Sequence, residues 1–102
     1  MYGSNMIKTG KFTVAATPAA VTVDVGFVPS YVKAVVVQAD GTFRRSVEIF
    51  NGGTTTIASA NHDTAQFAAE LANGITFDGN DVIFGTGVGA NATDVVNYFI
   101  VR

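Results

Sequence analysis

Apolar and polar residues alternate along most of this chain with a period of two, the pattern of strands buried on one face. Residues 20–25 show it clearly, because three valines fall on one face while Thr22 and Asp24 fall on the other. Similar runs between turn residues predict further strands. These runs are 9–15, 25–38, 42–50, 54–59, 74–77, 81–84 and 94–102.

The run at 25–38 predicts the central strand of the sheet. Val35 and Val36 are adjacent, so both faces of this strand are apolar and both must be covered. A Gly-containing turn joins it to the run at 42–50, which predicts a β-hairpin. In that second run Arg45 falls on the apolar face, where we expect it at the rim of the core or beside a carboxylate.

One segment, 64–72, allows a short helix. Its Ala, Gln, Glu and Leu residues are good helix formers, and Phe67 and Leu71 would share one helical face. A surrounding sheet favours a strand there instead, so both alternatives stay open. The predicted fold is all-β, a compact β-sandwich or barrel of about seven to eight short strands with at most one short helix. We expect an N-terminal arm at 1–8 and a single β domain at 9–102.

Composition narrows the class of protein. The chain has 102 residues, enough for one domain, and no Cys, which excludes disulfides and thiolate metal sites. A net charge of −2 does not suit a nucleic-acid-binding surface, and no run of ~18 apolar residues predicts a membrane span. Only 14% of residues are charged, against a typical ~25%. Either the surface is polar without charge, or much of it lies against other subunits.

The residues offer little catalytic or metal-binding chemistry. His62 and Asp63 are neighbours, but a catalytic site needs a nucleophile held by the histidine. The oxygen ligands at 78–81 are explained better by a hairpin turn than by a calcium loop, which is longer and ends in Glu. The Gly-rich stretch at 85–93 lacks the lysine of a P-loop and predicts a flexible loop. The sequence therefore predicts no enzyme, no cofactor and no metal site.

Four short motifs resemble small structural proteins of tailed bacteriophages. They are Gly26-Phe-Val-Pro-Ser-Tyr-Val-Lys33, Val47-Glu-Ile-Phe-Asn51, Gly74-Ile-Thr-Phe77 and Val95-Val-Asn-Tyr-Phe-Ile-Val-Arg102. The resemblance implies a β-sandwich or barrel that belongs to the virion and is not an enzyme. A compact domain with a short arm and no long trimeric stalk suits a head decoration (cement) protein better than a fibre.

The resemblance implies a protein that is made in the host cytoplasm and binds the outside of the assembled capsid. Its expected partners are the major capsid protein and other copies of itself, with a trimer as one arrangement, and neither nucleic acid nor membrane. The residues expected at the assembly interface are Tyr2, Met6, Ile7, Arg45 and Tyr98. The alternative is a tail-fibre, tail-tip or receptor-binding module that recognises cell-surface sugar through the loops at 51–53 and 85–93.

Overall fold

The computed structural model describes residues 7–17, 19–53, 55–59, 67–70, 73–89 and 91–102. Within these ranges the chain is all-β, as the sequence predicts, and its strands form two antiparallel sheets. The strands are β1 (Ile7–Thr13), β2 (Val21–Asp24), β3 (Tyr31–Val37), β4 (Phe43–Phe50), β5 (Thr55–Ser59), β6 (Phe67–Glu70), β7 (Ile75–Asp78), β8 (Asp81–Phe84) and β9 (Val95–Val101).

The larger sheet has six strands in the order β1-β9-β3-β4-β5-β6, and the smaller has three in the order β2-β8-β7. Strand β3 lies between β9 and β4, which confirms that the run at 25–38 supplies the central strand. Its side chains alternate, so Val32, Ala34 and Val36 are fully buried at 0% exposure. Val35 is only half-buried and points to the opposite face. Of these two adjacent valines, Val36 therefore packs in the core and Val35 lies on the outer face of the sheet.

The inner faces of the two sheets pack on each other, which makes the fold a β-sandwich. The Phe12 ring of β1 lies 5.5 Å from the Phe84 ring of β8, so an aromatic contact joins the layers. The core draws on both sheets and on the segments that follow β1, β2 and β8. Its buried apolar residues are Val14, Val25, Phe27, Val32, Ala34, Val36, Val47, Ile49, Ile75, Val82, Phe84, Val88, Val96 and Ile100.

Small residues on the inner face make room for one large aromatic ring. Tyr98 of β9 pairs with Gly10 of β1 on one side and with Ala34 of β3 on the other. A Cβ atom at Gly10 would collide with the Tyr98 phenol, so only glycine permits this approach. Tyr98 lies 5.4 Å from the ring of Phe84, which extends the aromatic contact between the layers.

One boundary differs from the sequence-based expectation, and one alternative that the sequence left open is resolved. Strand β1 begins at Ile7, whose partner is Val101, two residues before the expected start at position 9. The segment 64–72 supplies β6 at Phe67–Glu70, which pairs with β5 instead of forming a helix. Ladder hydrogen bonds to a neighbouring strand outweigh a weak helical propensity over so few residues. The remaining residues of that segment, with His62 and Asp63, lie outside the described ranges.

The alternation in β3 gives a direct test of the core. We expect Val36→Asp to prevent folding, because an unpaired buried carboxylate costs several kcal/mol, comparable with a domain's whole stability of ~5–15 kcal/mol. Val35→Asp is the matched control: its side chain faces outward, so the variant should fold with reduced stability. Circular dichroism with thermal melting compares the two, and equal losses would contradict the assigned faces.

Candidate functional site

The outer face of the large sheet, which points away from the small sheet, carries an apolar surface. Ile7 pairs with Val101, Val101 with Tyr31, and Tyr31 with Phe50, so these four side chains form one row across β1, β9, β3 and β4. Phe99 lies in the next row. Ile7, Phe50 and Phe99 are 52%, 68% and 40% exposed. We call these five residues the apolar patch.

A pair of opposite charges borders the apolar patch. Lys33 of β3 and Glu48 of β4 are direct cross-strand partners, in the row next to Tyr31 and Phe50. The Tyr31 and Phe50 rings pack 4.9 Å apart. Burial raises the pKa of Tyr31, and the negative charge of Glu48, which accepts a hydrogen bond from the phenol, raises it further. One acid, one base and two aromatic rings are thus neighbours on the two central strands.

A polar cleft lies at the opposite end of β4. It measures about 270 Å³ and opens between the β3–β4 turn and the loop before β9. In it, Arg44 Nε lies 2.6 Å from Asp94 Oδ2, with the side chains only 20% and 3% exposed. With its amide oriented so that donors meet acceptors, Asn91 Oδ1 lies 3.3 Å from the same Nε. The residues lining the cleft are Gln38, Ala39, Asp40, Arg44, Ala92, Thr93 and Asp94.

Backbone contacts hold the wall of this cleft in place. Thr93 has a φ of 69°, in the left-handed region that a β-branched residue rarely adopts. Its N–H donates to Val14 O at 3.0 Å, and the Val14 N–H donates to Asp94 O at 2.8 Å. The turn opposite is fixed by Asp40, whose carboxylate accepts from the Thr42 N–H at 2.9 Å. The main-chain hydrogen bond from Thr42 lowers the pKa of Asp40. These polar groups tie β1, β4 and β9 together at one end of the sheet.

The Gly-rich loop is packed where the sequence predicts flexibility. Gly85 N–H donates to Gly74 O at 2.9 Å, and Gly87 N–H donates to Asn73 O at 2.8 Å. Val88 is fully buried in the core. Arg45, which the sequence places at the rim or beside a carboxylate, donates from Nη1 to Gly87 O at 2.9 Å. The described part of this loop is therefore a fixed part of the sandwich.

The two loops proposed for sugar recognition lie far apart. Asn51 follows the last residue of β4, and its Nδ2 donates to Pro29 O at 2.8 Å. The Gly-rich loop contacts Arg45, near the first residue of β4. Phe50 lies five positions after Arg45, roughly 17 Å along the strand. The loops at 51–53 and 85–93 therefore do not form one site.

The residues expected at an interface have different positions. Ile7 belongs to the apolar patch, whereas Arg45 and Tyr98 face the interior side of the large sheet, and Tyr2 and Met6 lie outside the described ranges. Sequence reasoning missed four members of the patch: Tyr31, Phe50, Phe99 and Val101. Alternation places each on a face, but only the strand order brings them together.

The small sheet carries three carboxylates in one cross-strand row. Asp24 of β2 pairs with Asp81 of β8. Asp81 also pairs with Asp78 of β7, across the hairpin turn that contains Gly79 at a φ of 60°. Within the described ranges, no group of three or more His, Cys, Asp or Glu side chains has an arrangement that could hold a metal ion. Nor does that part of the chain contain a helix with the length and apolar character to span a bilayer.

Comparisons with protein-family models, with curated proteins and with solved structures found no match. The function is therefore inferred from the chain's own residues, above all from the apolar patch and the charges beside it.

The Tyr31–Glu48 contact predicts a shifted tyrosine titration. The folded pKa lies above the unfolded value of about 10, so the unfolded chain loses this proton first. The contribution of Tyr31 to the free energy of unfolding is therefore fully present below the unfolded pKa. It is lost as the pH rises through the folded pKa. Glu48→Gln should lower the Tyr31 pKa without returning it to the ordinary value, because burial remains. Ultraviolet titration with Tyr31→Phe as the reference measures this, and an unchanged curve would count against the contact.

The Arg44–Asp94 pair predicts a structural role for the cleft. Asp94→Asn removes a carboxylate that is almost fully buried against a cation, which should destabilise the fold by about 3 kcal/mol. Asp78→Asn is the control, because it removes an exposed charge from a row of like charges and should be neutral or slightly stabilising. Urea unfolding measures both variants. Equal midpoints for Asp94→Asn and the unmutated chain would show that the pair contributes little.

Proposed function

We propose that this chain is a structural protein of a phage virion, a head decoration protein that binds the outside of the assembled capsid. The observation that carries the proposal is the apolar patch on a sandwich with few charges. Monomeric proteins rarely expose large contiguous apolar surfaces, and those that do use them for contacts. Here Ile7, Phe50 and Phe99 are exposed in adjacent rows of one sheet. Such a face suits a protein that works while bound to other subunits.

The motifs that resemble phage structural proteins supply most of this patch. Tyr31 lies in the motif at 26–33, Phe50 in the motif at 47–51, and Phe99 and Val101 in the motif at 95–102. The motifs are distant in sequence, yet β3, β4 and β9 are neighbours in the sheet. The same residues therefore carry both the resemblance and the contact surface, and this supports the proposal.

The proposed mechanism is thermodynamic and involves no catalytic step. A protein that binds the assembled capsid and not its free subunits stabilises the assembled form by mass action. Apolar burial contributes roughly 25 cal/mol per Å² of surface removed from water, and salt screens it far less than it screens exposed charges. The expected partners are the major capsid protein and further copies of this chain, and the expected location is the virion.

The tail-tip alternative is less well supported. It assigns sugar recognition to the loops at 51–53 and 85–93, which lie at opposite ends of β4, and the second is held in the core by Val88. A sugar site would have to form on one loop alone. The apolar patch requires no such rearrangement.

The proposal predicts a high copy number on particles. Purified virions, analysed on a quantitative gel, should contain this chain at a stoichiometry comparable with that of the major capsid protein. Phe50→Ser should lower that occupancy, because it removes the most exposed ring of the patch. Val28→Ser is the control, since Val28 is 62% exposed but lies in the loop before β3. A handful of copies per particle would place the chain in the tail instead, and full occupancy of Phe50→Ser would exclude the patch as a contact.

A further inference from the structure

We infer that the partner of the apolar patch is a second copy of this chain, packed face to face about a twofold axis that runs between β3 and β4. The inference rests on the proposed function in one respect, that the outer face of the large sheet is a subunit contact. It adds which subunit makes the contact and in which orientation.

The strand register makes this face complementary to itself. A twofold axis parallel to β3 and β4 and midway between them places β3 of one copy over β4 of the other. Each β3 residue then faces the residue that is its cross-strand partner within its own chain. Lys33 therefore faces Glu48 of the second copy, and Tyr31 faces Phe50 of the second copy. The twofold repeats both contacts.

The positions of Lys33 and Glu48 favour this axis over the parallel axis between β9 and β3. An axis between β9 and β3 would place Lys33 over Phe99 and Glu48 over Thr9 of the second copy, so neither charge would meet an opposite charge. With the axis between β3 and β4, each lysine meets a glutamate and no like charges coincide. Opposite potentials across an interface fix its orientation, while like charges exclude wrong ones. Sheets packed in this way lie about 10 Å apart with nearly aligned strands.

The edge of the large sheet at β1 is a weaker candidate for self-association. Strand β1 lies at that edge, where a second chain could add a strand. Lys8 lies on the inner face of β1, and Lys11 on its outer face. Lysines on an edge strand, and charges that point inward from it, oppose edge-to-edge pairing. The face is therefore favoured over the edge.

Mixing two charge-reversal variants tests the pairing. The full chain should form dimers in sedimentation equilibrium. Lys33→Glu gives two facing pairs of anions and Glu48→Lys two facing pairs of cations, so each variant should dimerise about tenfold more weakly. An equimolar mixture should recover the affinity of the unmutated chain, because every facing pair then joins opposite charges.

The mixing experiment distinguishes contacts between two copies from contacts within one copy. Lys33 and Glu48 are also partners within one chain, and each variant keeps that internal repulsion after mixing. Recovery of affinity can therefore come only from pairing between copies. Circular dichroism confirms that both variants are folded. If either fails to fold, Lys33→Gln and Glu48→Gln replace them. Each should weaken the dimer, and their mixture should recover part of the affinity, because the mixed dimer regains one of the two Lys33–Glu48 contacts.

Other occupants of the patch give different results. A monomer at all concentrations, a trimer, or a mixture as weak as its components would overturn the inference. If the capsid itself covers the patch, the free chain is monomeric while Phe50→Ser still lowers occupancy on particles, so the proposed function survives without the dimer. If the chain dimerises but is scarce on particles, the dimer stands and the decoration function fails.

Discussion

The burial of one face of β3 is the constraint on which the rest of the structure depends. Val32, Ala34 and Val36 are completely buried, and ladders to β9 and β4 hold them on both sides. Because side chains alternate along a strand, a slip of one residue would move all three to the outer surface. The core therefore admits one register for strands β1, β9, β3 and β4, which are neighbours in the large sheet.

The same register determines the outer surface. Once Val32 faces Ile100 and Ile49 inside, Tyr31 must lie between Val101 and Phe50 outside. Lys33 must likewise lie beside Glu48. The apolar patch and its charge pair are therefore consequences of core packing, and a change to the patch need not disturb the core that positions it.

Sequence reasoning was sufficient for features that depend on nearby residues. The alternation at 20–25 predicted which face of β2 is buried, and the consecutive valines predicted the central strand. It was insufficient wherever distant segments meet. Nothing local indicates that Ile7 pairs with Val101 or that Arg44 faces Asp94, because both contacts need the strand order first.

In the segment that forms β6, local sequence preference is overridden by pairing with a distant strand. Its residues favour a helix when taken alone, but a strand at that position receives backbone hydrogen bonds from β5. Helix propensity differs among residues by only a fraction of a kcal/mol each, whereas an unpaired backbone donor or acceptor that is buried costs about 1–3 kcal/mol. Local preference therefore yields to the ladder.

Because few residues of this chain are charged, each charged side chain on the surface has more influence on how a partner could be oriented. An apolar patch alone favours association but does not fix an orientation, because apolar burial is not directional. Lys33 and Glu48 lie beside the patch on the two central strands, so they can align a partner that the patch attracts. A surface with many charges would offer several competing alignments. In the proposed pairing of two copies, the aromatic rings supply the attraction and this one charge pair supplies the orientation.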